Sequence, residues 1–138
     1  MTQLARVLKA LADPSRLRIV NVLSYCGLCV CDLQTVLGLS QPFISRHLAY
    51  LRKVGVVRDQ REGPRVCYSL ADDGPLAPAV QSLLREILPL SQALQADLEG
   101  LGKYGRSGRL KSQASCSEAE MAARSAEADS ESLVSKAA

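Results

Sequence analysis

Three of the five cysteines in this 138-residue sequence lie within one short stretch, as Cys26, Cys29 and Cys31. The other two are Cys67 and Cys116. Thiolates are soft ligands that select soft, thiophilic ions. Clustered cysteines of this kind favour a soft-metal site, a redox function or a set of buried thiols that behave as small apolar side chains. The cysteines alone leave all three interpretations open.

The composition predicts one compact domain followed by a tail. Hydrophobic residues make up 47% of the chain, but there is one Phe and no Trp, so the core must be built from aliphatic side chains, which suit helices. No apolar run reaches the roughly 18 residues that a membrane span needs. The N-terminus also lacks the basic and apolar segments of a secretory signal. We therefore expect a cytoplasmic protein, without a membrane partner, whose cysteines are reduced.

The charge is distributed unevenly along the chain. The formal net charge is +3, yet residues 1–70 contain ten Lys or Arg and four Asp or Glu, whereas residues 71–138 contain seven and ten. The front part therefore has a net charge of +6 and the rest −3. A basic front half is typical of a protein that binds a polyanion such as nucleic acid.

The elements that must position the thiols are predicted to be short helices bounded by proline, aspartate and glycine. Asp13 is a natural N-cap for a helix that Pro14 opens, and Gly27 suits the left-handed cap at its end. The next helix should run from Cys29 to Leu37. Thiols in the first turn of a helix ionise more readily, because the helix N-terminus stabilises the thiolate.

A fourth helix is predicted from Ser40, as its cap, to Val54. Its side formed by Ile44, Leu48 and Leu51 should pack on the domain. The opposite side carries small and polar residues, as a helix in the major groove of DNA requires. Two β-prone runs around Glu62-Gly63-Pro64 predict a basic hairpin, or wing. The residues expected to contact DNA are Ser40, Gln41, Pro42, Ser45, Arg46, His47, Ala49, Tyr50 and Lys53 from the helix and Arg58, Arg61 and Arg65 from the wing.

A longer helical stretch should follow the wing, from Leu76 to about Leu101, and Pro89 should kink or split it. We divide the chain into residues 1–102, a DNA-binding and dimerisation domain, and residues 103–138, a basic and then acidic tail that we expect to be disordered.

Two long segments give the sequence a family resemblance. Leu8–Ile19 (LKALADPSRLRI) and Leu39–Arg52 (LSQPFISRHLAYLR) resemble the ArsR/SmtB family of metal-responsive repressors, and the matching order extends over roughly residues 3–100. The resemblance implies a mainly α fold with a small β-hairpin wing, a winged helix-turn-helix. It further implies a homodimer joined through the terminal helices, which binds double-stranded operator DNA and leaves it when an inducer binds.

The stretch Cys29–Leu33 (CVCDL) is similar to the arsenite-sensing motif of the family's arsenic repressors, which continues to a third cysteine where this chain has Gln34. The resemblance implies arsenite or antimonite as the inducer, with Cys29 and Cys31 as ligands. Trivalent arsenic prefers about three thiolates, so Cys26 is the expected third ligand and Cys116 its substitute. Cadmium, lead, zinc or thiol oxidation are alternative signals. Cys67 is expected to be a packed strand residue and the least favourable ligand.

Helix geometry suggests how such a signal would act. Residues i and i+2 of a helix point about 200° apart, so Cys29 and Cys31 cannot share one ion unless the start of the third helix unwinds. Unwinding would disturb the DNA-reading helix that the third helix supports. No histidine neighbours the thiols and no glycine-rich loop precedes them, so we expect no enzyme, no catalytic residue and no organic cofactor.

Overall fold

Six helices and one small sheet follow one another along residues 2–106, the part of the chain that the structure, a computed structural model, describes. The elements in chain order are α1 (Gln3–Leu11), α2 (Pro14–Leu23), β1 (Leu28–Cys29), α3 (Val30–Leu37), α4 (Gln41–Lys53), β2 (Val57–Glu62), β3 (Arg65–Leu70), α5 (Ala77–Ile87), a 3-10 turn (Leu88–Leu90) and α6 (Gln92–Arg106).

Most of the predicted helix boundaries are confirmed. The Asp13 carboxylate accepts a hydrogen bond from the Arg16 amide at 3.1 Å, and Pro14 occupies the first turn of α2. Gly38 ends α3 with a φ of +67°, a conformation that favours glycine. Ser40 lies at the N-cap of α4, although its hydroxyl makes no capping hydrogen bond.

The expectation for Gly27 is wrong, because Gly27 is not among the glycines with positive φ. Helix α2 already ends at Leu23, where the Ser24 amide bonds back to the carbonyls of Val20 and Asn21. The chain then runs directly into β1, so no left-handed cap is needed at residue 27.

The three strands form an antiparallel sheet in the order β1-β3-β2. Strands β2 and β3 are the predicted wing, and Gly63, with a φ of +60°, allows the tight turn between them. Strand β1 was not predicted. It pairs Leu28 with Tyr68 and Cys29 with Cys67, so it joins the base of the wing to the start of α3.

Aliphatic side chains from all the helices fill the core. Ile44, Leu48 and Leu51 of α4 are completely buried, as predicted, and they share the core with residues of α2 and α3 such as Ile19 and Leu33. The reading helix is therefore anchored in the core by its apolar side, while residues on its opposite side such as Arg46 and Ala49 are exposed.

The ion pair between Arg18 and Asp97 connects helices α2, α3 and α6. The Arg18 guanidinium of α2 donates from Nε and Nη2 to the Asp97 carboxylate of α6, at 2.8 and 3.0 Å. Nη2 also donates to the Leu37 carbonyl at the end of α3, at 2.9 Å. The hydrogen bond that Arg18 donates to Asp97 is the main reason that the pKa of Arg18 is raised.

The C-terminal helical stretch is split near Pro89, as predicted, so that α6 folds back onto α2 and α3. It continues to Arg106, past the domain boundary that we placed at residue 102. The predicted disordered tail lies, from residue 107 onward, outside the described residues. On the outer surface, large apolar side chains of α1 and the α5 region are exposed, namely Leu4, Leu8, Leu83, Ile87 and Leu90.

We expect Asp97→Asn to lower the free energy of unfolding by about 1–3 kcal/mol, since it weakens charge-assisted hydrogen bonds in a largely buried place. Asp59→Asn is the matched control, because Asp59 pairs with Arg52 at 3.0 Å on the exposed wing, where such a pair contributes about 0–1 kcal/mol. Urea unfolding of both variants measures the difference. Equal losses in the two variants would contradict the importance of the Arg18 pair.

Candidate functional site

The exposed side of α4 has the shape and chemistry of a DNA-reading surface. Helix α3 and helix α4 are joined by a short turn at Gly38, Leu39 and Ser40, which is a helix-turn-helix connection. Gln41 donates from Nε2 to the Ser45 hydroxyl at 3.0 Å, so the two polar groups at the helix start are arranged together. The side chains that we predicted to contact DNA and that are exposed on this helix are Gln41, Pro42, Arg46, Ala49 and Lys53.

His47 and Tyr50 lie on the flank of α4 and are held by Arg16 from α2. The Arg16 guanidinium lies 3.5 Å from His47 Nδ1 and 4.4 Å from the centre of the Tyr50 ring. Its Nε also donates to the Ala10 carbonyl at 2.6 Å. His47 is therefore held on the flank of α4 by a residue of α2. Sequence reasoning missed Arg16, because nothing in its local pattern indicates a contact with α4.

The wing arginines differ in their surroundings. Arg58, at the base of the wing, is paired with Asp72 at 2.7 Å and bonds the Ser69 hydroxyl at 3.3 Å. Arg61 and Arg65 are exposed and flank the turn at the tip. All three arginines are exposed on the hairpin, where such side chains can reach a DNA phosphate or the minor groove.

We expect Arg46→Ala to weaken operator binding by about 10- to 100-fold, because a side chain that reaches a base edge contributes about 1–3 kcal/mol. Arg85→Ala on α5 removes the same charge far from α4 and should leave the affinity within about twofold. Fluorescence anisotropy at fixed salt compares the two. If both variants lose affinity equally, Arg46 acts only through net charge.

The cysteines that we expected to act together differ in exposure. Cys29 is the N-cap of α3 and only 2% exposed, whereas Cys31 is exposed on the first turn. Cys26 is buried and disulfide-bonded. Cys116 lies outside the described residues. Within residues 2–106 no group of three or more His, Cys, Asp or Glu side chains is arranged to hold a metal ion.

The expectation of reduced cysteines is wrong for Cys26, Cys29 and Cys67, which are disulfide-bonded. The sulfurs of Cys29 and Cys67 are bonded to each other across β1 and β3. They are opposite one another in the strand register, with Cα atoms 4.0 Å apart, and this brings the sulfurs together. Cys67 is a packed strand residue, as predicted.

A buried carboxylate connects the cysteine-bearing helix start to α6. Asp32 accepts a hydrogen bond from the Cys29 amide at 3.3 Å and another from the Tyr104 hydroxyl at 3.0 Å. Burial and the bond to Asp32 raise the pKa of Tyr104. An acidic residue three positions after a helix cap can be recognised in the sequence as a capping signal. The contact of Asp32 with Tyr104, 72 residues away, leaves no such signal in the sequence.

We expect Tyr104→Phe to lower the free energy of unfolding by about 1–2 kcal/mol at neutral pH, since Asp32 loses a buried hydrogen bond. The pKa of Tyr104 is higher in the folded protein than its ordinary value of about 10. Its contribution is therefore complete below pH ~10 and is lost as the pH rises through the folded pKa. Tyr68→Phe is the control. Unfolding at neutral and at alkaline pH tests this, and a difference that grows with pH would contradict it.

A reading helix exposed beside a wing, on an α-helical core, defines a winged helix-turn-helix DNA-binding regulator. The model of the family described as "Bacterial regulatory protein, arsR family" matches residues 13–59. The chain belongs to this ArsR family, whose members are transcriptional regulators and not enzymes.

Two characterised relatives are similar to this chain in sequence. The chain is 52% identical over 71 residues to the arsenical resistance operon repressor of Escherichia coli K12, covering 51% of this chain and 61% of that protein, less than two thirds of it. It is 41% identical over 101 residues to the arsenic resistance transcriptional regulator ArsR1 of Pseudomonas putida KT2440, covering 72% of this chain and 77% of that protein.

A solved structure supports the fold. A homodimeric winged helix-turn-helix DNA-binding domain from Mycobacterium bovis is similar with a TM-score of 0.55 at 33% identity, covering 62% of this chain and 77% of that one. Among the described residues, no helix has the length and apolar character needed to cross a bilayer.

Proposed function

We propose that this protein is a cytoplasmic repressor of a metalloid-resistance operon that leaves its operator when arsenite or antimonite binds thiolates at the start of α3. The ligands in this proposal are Cys29 and Cys31, with Cys26 as the third and Cys116 as its substitute. The observation that carries it is the packing of the cysteine-bearing helix α3 directly against the reading helix α4.

The arrangement around Cys29 supports a conformational signal. Cys29 is buried and Cys31 is exposed, so one ion can bind both only if the first turn of α3 opens. Opening would release the Cys29 amide from Asp32 and disturb the contact between Asp32 and Tyr104. Leu33 and Leu37 of the same helix share the core with α4, so the reading helix would shift with them. The inducer acts because it binds the opened form better.

Self-association is part of the proposal. Helices α1 and α5 expose large apolar side chains, such as Leu4 and Ile87. Apolar surface of this kind is typical of an interaction site. A homodimer joined there would present two reading helices to two half-sites of one duplex. In each copy α4 would contact base edges through Gln41, Ser45 and Arg46, with Ser40, Pro42, His47, Ala49, Tyr50 and Lys53 beside them and Arg58, Arg61 and Arg65 on the backbone.

Thiol oxidation is a second candidate signal, and the bond between Cys29 and Cys67 favours it. Another thiophilic ion, such as cadmium, lead or zinc, would act through the same soft ligands.

The test uses an operator duplex selected from random DNA, with the protein reduced beforehand. We expect arsenite to release the wild type, and Cys29→Ser and Cys31→Ser to require at least tenfold more arsenite while still binding the duplex. Cadmium and peroxide are titrated in parallel. Normal release of both variants by arsenite would show the proposed ligands to be wrong, and release by peroxide or cadmium alone would show a different signal.

A further inference from the structure

We propose that Cys29 and Cys67 form a dithiol site for trivalent arsenicals between the cap of α3 and the wing, a site to which Cys31 does not contribute. The inference rests on the proposed function in one respect, that the signal is a thiophilic compound. It differs from the ligand set expected from the sequence, because it takes the second sulfur from β3.

Strand register places the two thiols together. Cys29 and Cys67 are directly opposite on antiparallel strands, and such residues project to the same face of the sheet. Their Cα atoms are 4.0 Å apart and their sulfurs are already bonded. Cys31, in contrast, is exposed on the first turn of α3. A ligand that needs two sulfurs therefore finds the pair from β1 and β3 without any unwinding of α3.

Each of the two cysteines lies beside an acidic side chain. Cys29 is the N-cap of α3, and its amide donates to Asp32 at 3.3 Å. The Cys67 sulfur lies 3.5 Å from Glu62 Oε2, so the reduced Cys67 thiol can donate a hydrogen bond to this carboxylate. These contacts fix the two cysteines at the junction of β1, β3 and α3.

The chemistry begins from the reduced pair, because a disulfide has no thiolate to offer. A phosphine reductant supplies two electrons and becomes its oxide, with the oxygen and the two protons taken from water. A thiol reductant supplies both electrons and protons as two of its molecules join in a disulfide. Either route yields two thiols. The probe phenylarsine oxide then forms two arsenic–sulfur bonds, while its oxygen leaves as water with the two thiol protons. Arsenic stays trivalent throughout, so this step requires no oxidant.

Binding at this pair has a consequence for the wing. Both sulfurs are buried, Cys67 with only 4% of its surface exposed, so an arsenic atom between them must part β1 from β3. Strand β3 is also paired with β2 along the wing, and the hairpin tip carries Arg61 and Arg65. The ligand would therefore displace the wing as well as the start of α3.

The experiment compares two matched variants, each with two cysteines. C26S/C31S/C116S keeps Cys29 and Cys67, and C26S/C67S/C116S keeps Cys29 and Cys31. After reduction with a phosphine, each is titrated with phenylarsine oxide and followed by native mass spectrometry. We expect the variant with Cys29 and Cys67 to bind one arsenical at least tenfold more tightly. Equal or reversed affinities would overturn the proposal.

The wild-type chain gives a second measurement that does not depend on whether the variants fold. Reduced protein with one equivalent of phenylarsine oxide is digested with pepsin in acid, and the peptides bridged by arsenic are identified by mass. A bridge between the Cys29 and Cys67 peptides supports the site. Any other bridge, including one within a peptide that holds both Cys29 and Cys31, overturns it.

The wild-type protein also distinguishes a failure of the proposed function from a failure of the dithiol site. Release of the operator by arsenite together with a bridge at Cys29 and Cys31 would leave the proposed function in place and the dithiol site wrong. A bridge at Cys29 and Cys67 without release of the operator would support the dithiol site and show the proposed function to be wrong.

Discussion

The burial of one side of α4 is the constraint on which the rest of this structure depends. Ile44, Leu48 and Leu51 are inaccessible to solvent, and each contributes about 1.5–3 kcal/mol by leaving water. This apolar anchor lets the other side of the helix remain polar, small and open to DNA. Because the anchor packs against α2, α3 and the wing strand β2, a displacement of any of these elements acts on the reading helix.

Helix α3 is in turn held at both of its ends by side-chain hydrogen bonds, at its start from α6 and at its end from α2. At the start, Asp32 accepts from Tyr104. At the end, the Leu37 carbonyl accepts from Arg18, which is itself fixed by Asp97. Groups buried in this way are costly to leave without partners, so α3 has few intermediate positions available to it. A helix held at both ends is suited to two states, and this is what a sensor next to a reading helix requires.

Local patterns in the sequence were enough to predict the helices but not the contacts between distant residues. The cap at Asp13, the reading helix and the break at Pro89 follow from backbone chemistry that acts within a few residues. The pairing of Arg18 with Asp97 joins positions 79 residues apart and leaves no periodic signal. Strand β1 is only two residues long, so its pairing with β3, and with it the position of Cys67 opposite Cys29, could not be foreseen. The ligand expectations failed to anticipate this neighbour for the same reason.

The contacts of Arg16 have a consequence for how two copies of the protein would be positioned on one DNA duplex. Its guanidinium holds the Ala10 carbonyl at the end of α1 and, at the same time, the flank of α4 at His47 and Tyr50. Helix α1 also carries the exposed Leu4 and Leu8. In a pair of copies joined through α1, Arg16 would connect the contact between the copies directly to the reading helix. Its contacts would then help to set the distance between the two reading helices, and so the spacing of the DNA half-sites that they fit.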